Sequence, residues 1–185
     1  TVLFDLGSTL IYFDSGWEEI MEEAVRELHR ELLSMGYHLD AGFPAHYRAT
    51  SREYYRWRDE ELVETPAPTV FRQVMAAYGY HDLNEEQVHA ALSALYAVSQ
   101  AHWQVEEDAV PTLRALRQAG LRIGLVSNAG YDEDIQVLID KGGLRPYLDF
   151  IISSASCGVR KPHPRIFEVA LGAINARAAE TAMVG

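Results

Sequence analysis

Four short apolar runs, TVLF at residues 1–4, IGLV at 123–126, DFII at 149–152 and TAMV at 181–184, each lead into an Asp, Ser or Gly. Continuous apolar runs that end on turn formers are how strands buried on both faces of a parallel sheet read. Between the first two runs the period changes from continuous to helical. Trp17, Ile20, Met21, Ala24, Leu28 and Leu32 recur at spacings of three and four, and Ser15 with Glu18 forms a capping-box pattern at their start. That spacing predicts a long amphipathic helix. Val70, Val74, Met75 and Tyr78, closed by Gly79, predict a second, and Val88, Ala91, Leu92 and Leu95, opened by Asn84 with Gln87, a third. Further on, Leu113 and Leu116 lie on a helix stopped by Gly120, Leu121 to Val126 reads as a strand, and Ile135, Leu138 and Ile139 mark another helix. After Gly142 and Gly143 comes the strand near Phe150, then a helix begun at Pro164 with Phe167, Ala170, Leu171 and Ile174 on one face.

Strands alternating with helices predict an α/β fold: a three-layer αβα Rossmann-like core around a parallel sheet, with the strand C-termini along one edge. The helical stretch interrupts that core, so residues 1–13 and 106–185 are expected to form the core and residues 14–105 an inserted α-helical unit. Charge follows the same division. The insertion carries a net charge of −9 and the flanks together −2, within a total of −11 for 185 residues. Such a field repels nucleic-acid phosphates and anionic membranes, so neither is expected as a partner. One cysteine forms no internal disulfide, no Asn-x-Ser/Thr site occurs, and no apolar run approaches the ~18 residues of a spanning helix. A cytoplasmic protein, monomer or homodimer, with a small-molecule substrate is the expectation. Thr1 is no initiator and already begins a strand, so both ends of the chain are expected to be trimmed.

In an open parallel sheet, ligands bind beyond the strand C-termini, and the first polar residues after each apolar run are the ones placed there. Asp5 follows the first run in FDLGSTL, Ser127 and Asn128 follow the second, and GVRKP at 158–162 follows the third. A carboxylate, a hydroxyl, an amide and an ammonium gathered at one edge suit chemistry on an anion. Asp5 offers a nucleophile or a metal ligand, Ser127 and main-chain N–H groups offer donors to oxyanions, and Lys161 offsets negative charge. The Gly7-Ser8 turn allows a ligand close to the main chain.

Together and in this order, FDLGSTL, GLVSN and GVRKPHPRIF resemble the first three motifs of the haloacid dehalogenase superfamily, and TAMVG resembles the approach to the fourth. The resemblance covers essentially the whole chain, and the insertion is similar to the cap of the subfamily that includes phosphoglycolate phosphatase-like enzymes and 2-haloacid dehalogenases. It implies a phosphatase acting on a small phosphorylated metabolite. In that reading Asp5 and Lys161 are catalytic, Ser8, Thr9, Ser127 and Asn128 bind substrate, and Mg2+ is held by Asp5 and the main-chain carbonyl of Gly7. The family's phosphatases carry a second aspartate two positions after the nucleophile, as proton donor to the leaving group, where this chain has Gly7. Positioned acid–base help is worth ~10²- to 10⁴-fold in rate, so ordinary alkyl phosphates are expected to be poor substrates. Dehalogenase- or phosphonatase-like hydrolysis and a non-catalytic binding role are the alternatives.

Away from the motifs, Arg160 is expected to be structural, because neighbours on extended chain point apart. Cys157 is expected to be a small buried residue. Tyr47, Tyr54, Tyr55 and Trp57 read as packing within a helical bundle, and the interleaved Arg48, Arg52, Arg56 and Arg58 as contacts to an anionic substrate.

Overall fold

The computed structural model describes all 185 residues, and the chain divides into two compact units. The first comprises Thr1–Asp14, Leu62–Glu64 and Trp103–Gly185; the second comprises Ser15–Glu61 and Thr65–His102. In the first unit the apolar runs form β1 (Val2–Phe4), β4 (Ile123–Ser127), β5 (Phe150–Ser153) and β6 (Ala182–Val184). They pair in the order β5-β4-β1-β6, parallel throughout. Adjacent side chains on a strand point to opposite faces, and the core divides accordingly. Phe4, Ile123 and Leu125 pack against Ala109 and Leu113 of α5 (Ala109–Gln118) and Ile135, Leu138 and Ile139 of α6 (Asp132–Lys141). Leu3, Val126 and Ile152 pack on the other side against Ile166 and Ala170 of α7 (Pro164–Ala173). The predicted three layers are therefore present.

The boundaries between the units differ from the expected 14–105 at three places, the smallest being Asp14, which belongs to the first unit. Trp103–Val105 forms β3, which pairs antiparallel with β2 (Ile11–Phe13), so the chain's exit from the first unit and its return to it are hydrogen-bonded together. Leu62–Glu64, in the middle of the insertion's sequence, also belongs to the first unit. Val63 bridges Val159, and the Glu64 and Arg160 N–H groups donate to the carbonyls of Gly158 and Leu62.

The second unit is four helices: α1 (Trp17–Ser34), α2 (Phe43–Glu61), α3 (Ala67–Ala77) and α4 (Glu85–Gln100). Buried Ala24, Val25, Leu28 and Leu32 of α1 face Val88, Ala91, Leu92 and Leu95 of α4. The Asn84–Gln87 capping box forms as the sequence predicts. The Ser15–Glu18 box does not. Gly16 caps α1 without a side-chain bond, the Ser15 hydroxyl pairs with His102 Nδ1 at 2.8 Å, and the Glu18 carboxylate takes Arg48 and Arg52 at 3.1 and 3.0 Å. Stronger partners from other elements displaced the local pair. α2 escapes the periodicity reading because only Phe43, Tyr47 and Ser51 along its 19 residues are buried. No helix in the protein is long and apolar enough to cross a membrane.

Two predictions follow from the sheet. A methyl group on Gly124 would fall 2.0 Å from Cζ of Phe150 on the neighbouring strand. Gly124→Ala should therefore lower the unfolding free energy by ~1–3 kcal/mol, the usual cost of overpacking, and pairing it with Phe150→Ala in urea unfolding should remove the steric part. Beside that strand, partial burial raises the Asp149 pKa, but an N–H bond from Ile123 at 2.8 Å and the Arg117 guanidinium at 2.5 Å outweigh it and hold the pKa below the usual carboxylate value. A depressed folded-state pKa contributes stability above the unfolded-state value of ~3.9, lost as pH falls through the folded value. The stability gap between wild type and Asp149→Asn should be constant near neutrality and close in acid below about pH 4.

Candidate active site

At the C-terminal edge of β1, Asp5 leaves the strand with its own N–H bonded to the Val184 carbonyl on β6 at 2.9 Å. Its carboxylate accepts from the Leu6 N–H at 2.7 Å through Oδ1, and Oδ2 lies 2.7 Å from Lys161 Nζ. The side chains of Asp5 and Lys161 are 28% and 14% exposed, so the pair is shielded from bulk water yet reachable. Residues 156 positions apart in sequence thus meet at the sheet edge.

The turn after Asp5 is tightly bonded to itself. N–H groups of Thr9, Leu10 and Ile11 converge on the Leu6 carbonyl, and the Ser8 N–H donates to the Ile11 carbonyl at 2.7 Å. Ser8 adopts φ 59°, the left-handed region that non-glycine residues seldom enter. With the Leu6 N–H on Asp5, the Gly7 N–H is the one main-chain donor from residues 6–11 without a partner in the chain, fewer than a glycine-rich oxyanion loop suggests. An added Cβ on Gly7 would lie 3.3 Å from Trp103 Cη2, so the indole occupies the space a larger side chain would need. Trp103 is held on β3 with its ring edge-on to Phe13 at 5.1 Å. Opposite Thr9, a Cβ on Gly185 would fall 2.7 Å from that of Asp5, and only glycine lets the chain pass so close.

Ser127 ends β4, 4% exposed and in register with Ser153 of β5. Asn128, next in the chain, is occupied by Lys161 rather than open to a ligand: its side-chain carbonyl accepts the Lys161 N–H at 2.7 Å and its amide donates to the Lys161 carbonyl at 3.0 Å. Arg160 is 8% exposed and paired with Glu64, and Cys157 is half-buried. Glu64 itself is 3% exposed and accepts from the Ser154 hydroxyl at 2.6 Å. Neither Glu64 nor Ser154 stands out in sequence, because a lone acid in an acid-rich stretch and one serine among three carry no spacing signal.

Three of the four arginines expected to contact an anion have acidic partners. Arg48 pairs with Glu18 and Glu22, Arg52 with Glu18, and Arg58 with Asp59 while lying 4.3 Å over the Tyr55 ring. Arg56 is exposed. Of the interleaved aromatics only Tyr47 is fully in the core, where burial raises its hydroxyl pKa; Tyr55 and Trp57 are 40% and 45% exposed, contrary to a packing role. No cluster of three or more His, Cys, Asp or Glu side chains is placed to hold a metal ion. At the site the chain offers one carboxylate, Asp5, and the Gly7 carbonyl. That donor set is hard oxygen, which suits Mg2+, an ion that keeps several waters and takes only one or two protein carboxylates.

Comparison with known proteins places this geometry in context. A family model described as haloacid dehalogenase-like hydrolase matches residues 1–185. A Bos taurus protein named haloacid dehalogenase-like hydrolase domain-containing protein 3 is 39% identical over 87 residues, 47% of this chain, and the match spans about a third (34%) of that protein's length. A glyceraldehyde 3-phosphate phosphatase of Methanopyrus kandleri is 28% identical over 186 residues, 100% of this chain and 74% of its own. Among solved structures, the 2-haloacid dehalogenase of Pseudomonas syringae pv. tomato superposes with a TM-score of 0.64 at 21% identity, over 100% of this chain and 76% of that one, a likeness of fold.

The two bonds from Asn128 fix the main chain on both sides of the Lys161 Cα. Removing them by Asn128→Ala strands a partly buried N–H and carbonyl, which should cost ~1–3 kcal/mol of unfolding free energy. Chemical denaturation of the variant beside wild type would measure the loss.

Proposed function

Because the chain belongs to the haloacid dehalogenase-like hydrolase family, we propose that it is a Mg2+-dependent phosphatase of a small phosphorylated metabolite, with Asp5 as its nucleophile. The observation that carries this reading is the Asp5–Lys161 pair at 2.7 Å, at the strand C-terminal edge where parallel sheets bind ligands. Asp5 and the Gly7 carbonyl would hold the ion, which supplies charge neutralisation for an incoming phosphate when bound. The Asp5 carboxylate attacks phosphorus; a new carboxylate–phosphorus bond forms as the bond to the leaving oxygen breaks, and that oxygen departs with the electron pair. Water then attacks phosphorus of the aspartyl phosphate, gives up a proton to solvent, and releases inorganic phosphate and free Asp5. Lys161 orients the carboxylate and offsets the phosphoryl oxygens, while the Ser127 hydroxyl and the free Gly7 N–H donate to those oxygens. Ser8 and Thr9 support the turn that carries Gly7, and Asn128 serves by holding Lys161. In this reading the helical insertion is the counterpart of the family's cap. The relative named as a phosphatase that aligns along the entire chain supports the reaction class.

The indole of Trp103 against Gly7 bears on the leaving group. Position 7 offers no proton, and its space is apolar, so substrates whose leaving group departs as a stable anion are favoured. Acyl phosphates fit this best. The same observation favours a second reading on the same nucleophile, hydrolysis of a carbon–halogen bond, since halide leaves without a proton.

With Mg2+ present, acetyl phosphate should be hydrolysed at least ~10²-fold faster than glycerol phosphate, the factor that missing acid–base help removes. Asp5→Asn and chelation should each abolish phosphate release. Chloride release from 2-chloropropionate that survives chelation would select the second reading, and full turnover by Asp5→Asn would exclude both.

A further inference from the structure

Lys161 and five other residues form a closed ring of bonds. The Lys161 main chain is joined to the Asn128 side-chain amide by two hydrogen bonds, at 2.7 and 3.0 Å. Asn128 leads covalently to Ala129, whose N–H donates to the Ser154 hydroxyl oxygen at 2.9 Å. Ser154, fully buried, donates that hydroxyl to Glu64 at 2.6 Å. Glu64 holds the Arg160 guanidinium through the same carboxylate oxygen, Oε2, and Arg160 leads covalently back to Lys161. The Glu64 side chain is 0% exposed and that of Arg160 10%. Around Val63 and Val159 the two segments run antiparallel as extended chain, so side chains alternate. Arg160 faces Glu64, and Lys161 faces Asp5.

A buried ion pair is a poor device for stability alone, because desolvating both charges consumes most of what their attraction returns. Its strength is direction. The Glu64 carboxylate takes both the Arg160 guanidinium and the Ser154 hydroxyl, and that arrangement fixes the residue immediately before the ammonium that meets Asp5. Glu64 also neutralises the Arg160 guanidinium, which is buried on the side of the segment away from Lys161.

We infer that Glu64 is a positioning residue of the active site: through Arg160 on one side and Ser154, Ala129 and Asn128 on the other, it sets where the Lys161 ammonium stands against Asp5. The inference rests on the reaction proposed above for its catalytic consequence, but not for its structural one. The segment that supplies Glu64, Leu62–Glu64, is reached only from within the insertion's sequence, between α2 and α3, yet belongs to the sheet-bearing unit.

The chain has only two lysines, Lys141 and Lys161, so the side-chain ammonium signals can be assigned in a protein labelled with 15N-lysine, using Lys141→Arg to identify Lys161. Glu64→Gln, checked for folding by circular dichroism, should shift or broaden away the Lys161 ammonium signal while leaving that of Lys141. It should also lower kcat for acetyl phosphate ~10- to 100-fold, as ångström-scale misplacement of a reacting group does, with a smaller change in KM. Glu64→Asp keeps the charge and shortens the reach by one methylene; it provides the same two readouts if Glu64→Gln fails to fold, with a smaller shift. An unchanged Lys161 signal in a folded variant overturns the inference whatever the turnover, as does full turnover with the signal lost. If wild-type protein hydrolyses none of the phosphates, the proposed function fails and the ammonium signal alone decides the role of Glu64.

Discussion

A carboxylate and an ammonium 2.7 Å apart at the end of a parallel sheet attract each other strongly only if neither is free to swing away and if water is kept from between them. Both conditions fall on the surrounding chain. Asp5 is fixed by main-chain bonds on either side, from its own N–H to β6 and from the Leu6 N–H to its carboxylate. Lys161 has a long side chain with much rotamer freedom, and its placement depends on fixing the backbone that bears it. The sheet alone does not do this, because residue 161 lies in a loop several residues beyond β5. The polar groups of Asn128, Ser154, Glu64 and Arg160 make up the difference.

The two faces of the sheet explain why this edge can be so polar without loosening the fold. β4 is buried along its full length, with Ile123 and Leu125 against one pair of helices and Val126 against the helix opposite. Apolar burial on both faces holds the strand in place up to Ser127, and hydrogen bonds take over from Asn128 onward. The change occurs within one residue, and that residue pair is where the proposed chemistry begins.

Much of this was legible in the sequence because it rests on local signals. The apolar runs before Asp5, Ser127 and Gly185, the helical spacing of α1 and α4, and the Asn84–Gln87 cap each declare themselves within a few residues. What was not legible depends on contacts between distant segments. Ser15 and Glu18 have the right spacing for a cap, but His102 and two arginines of α2 offer them better partners. Glu64 looks like one more acid in a charged stretch until the fold brings Arg160 and Ser154 to it. The exposed ring of Trp57 and the buried ring of Tyr47 sit on the same helix with nothing in their neighbours to distinguish them. Gly7 was conspicuous as a departure from a motif, but its counterpart Trp103 could be found only in three dimensions.

The short pairing of Ile11–Phe13 with Trp103–Val105 also matters for how such a molecule changes over evolutionary time. Phe13 and Trp103 are register partners, so the polypeptide departs and returns at neighbouring points, like the two ends of a loop tied at its base. Everything between can be exchanged, lengthened or remodelled while the gap to be spanned stays that of a hairpin turn. The exception is the trio at 62–64, which any replacement would have to supply afresh. The length of the intervening piece is thus a weaker constraint on the sheet-bearing unit than the contacts its residues 62–64 make with Gly158–Arg160.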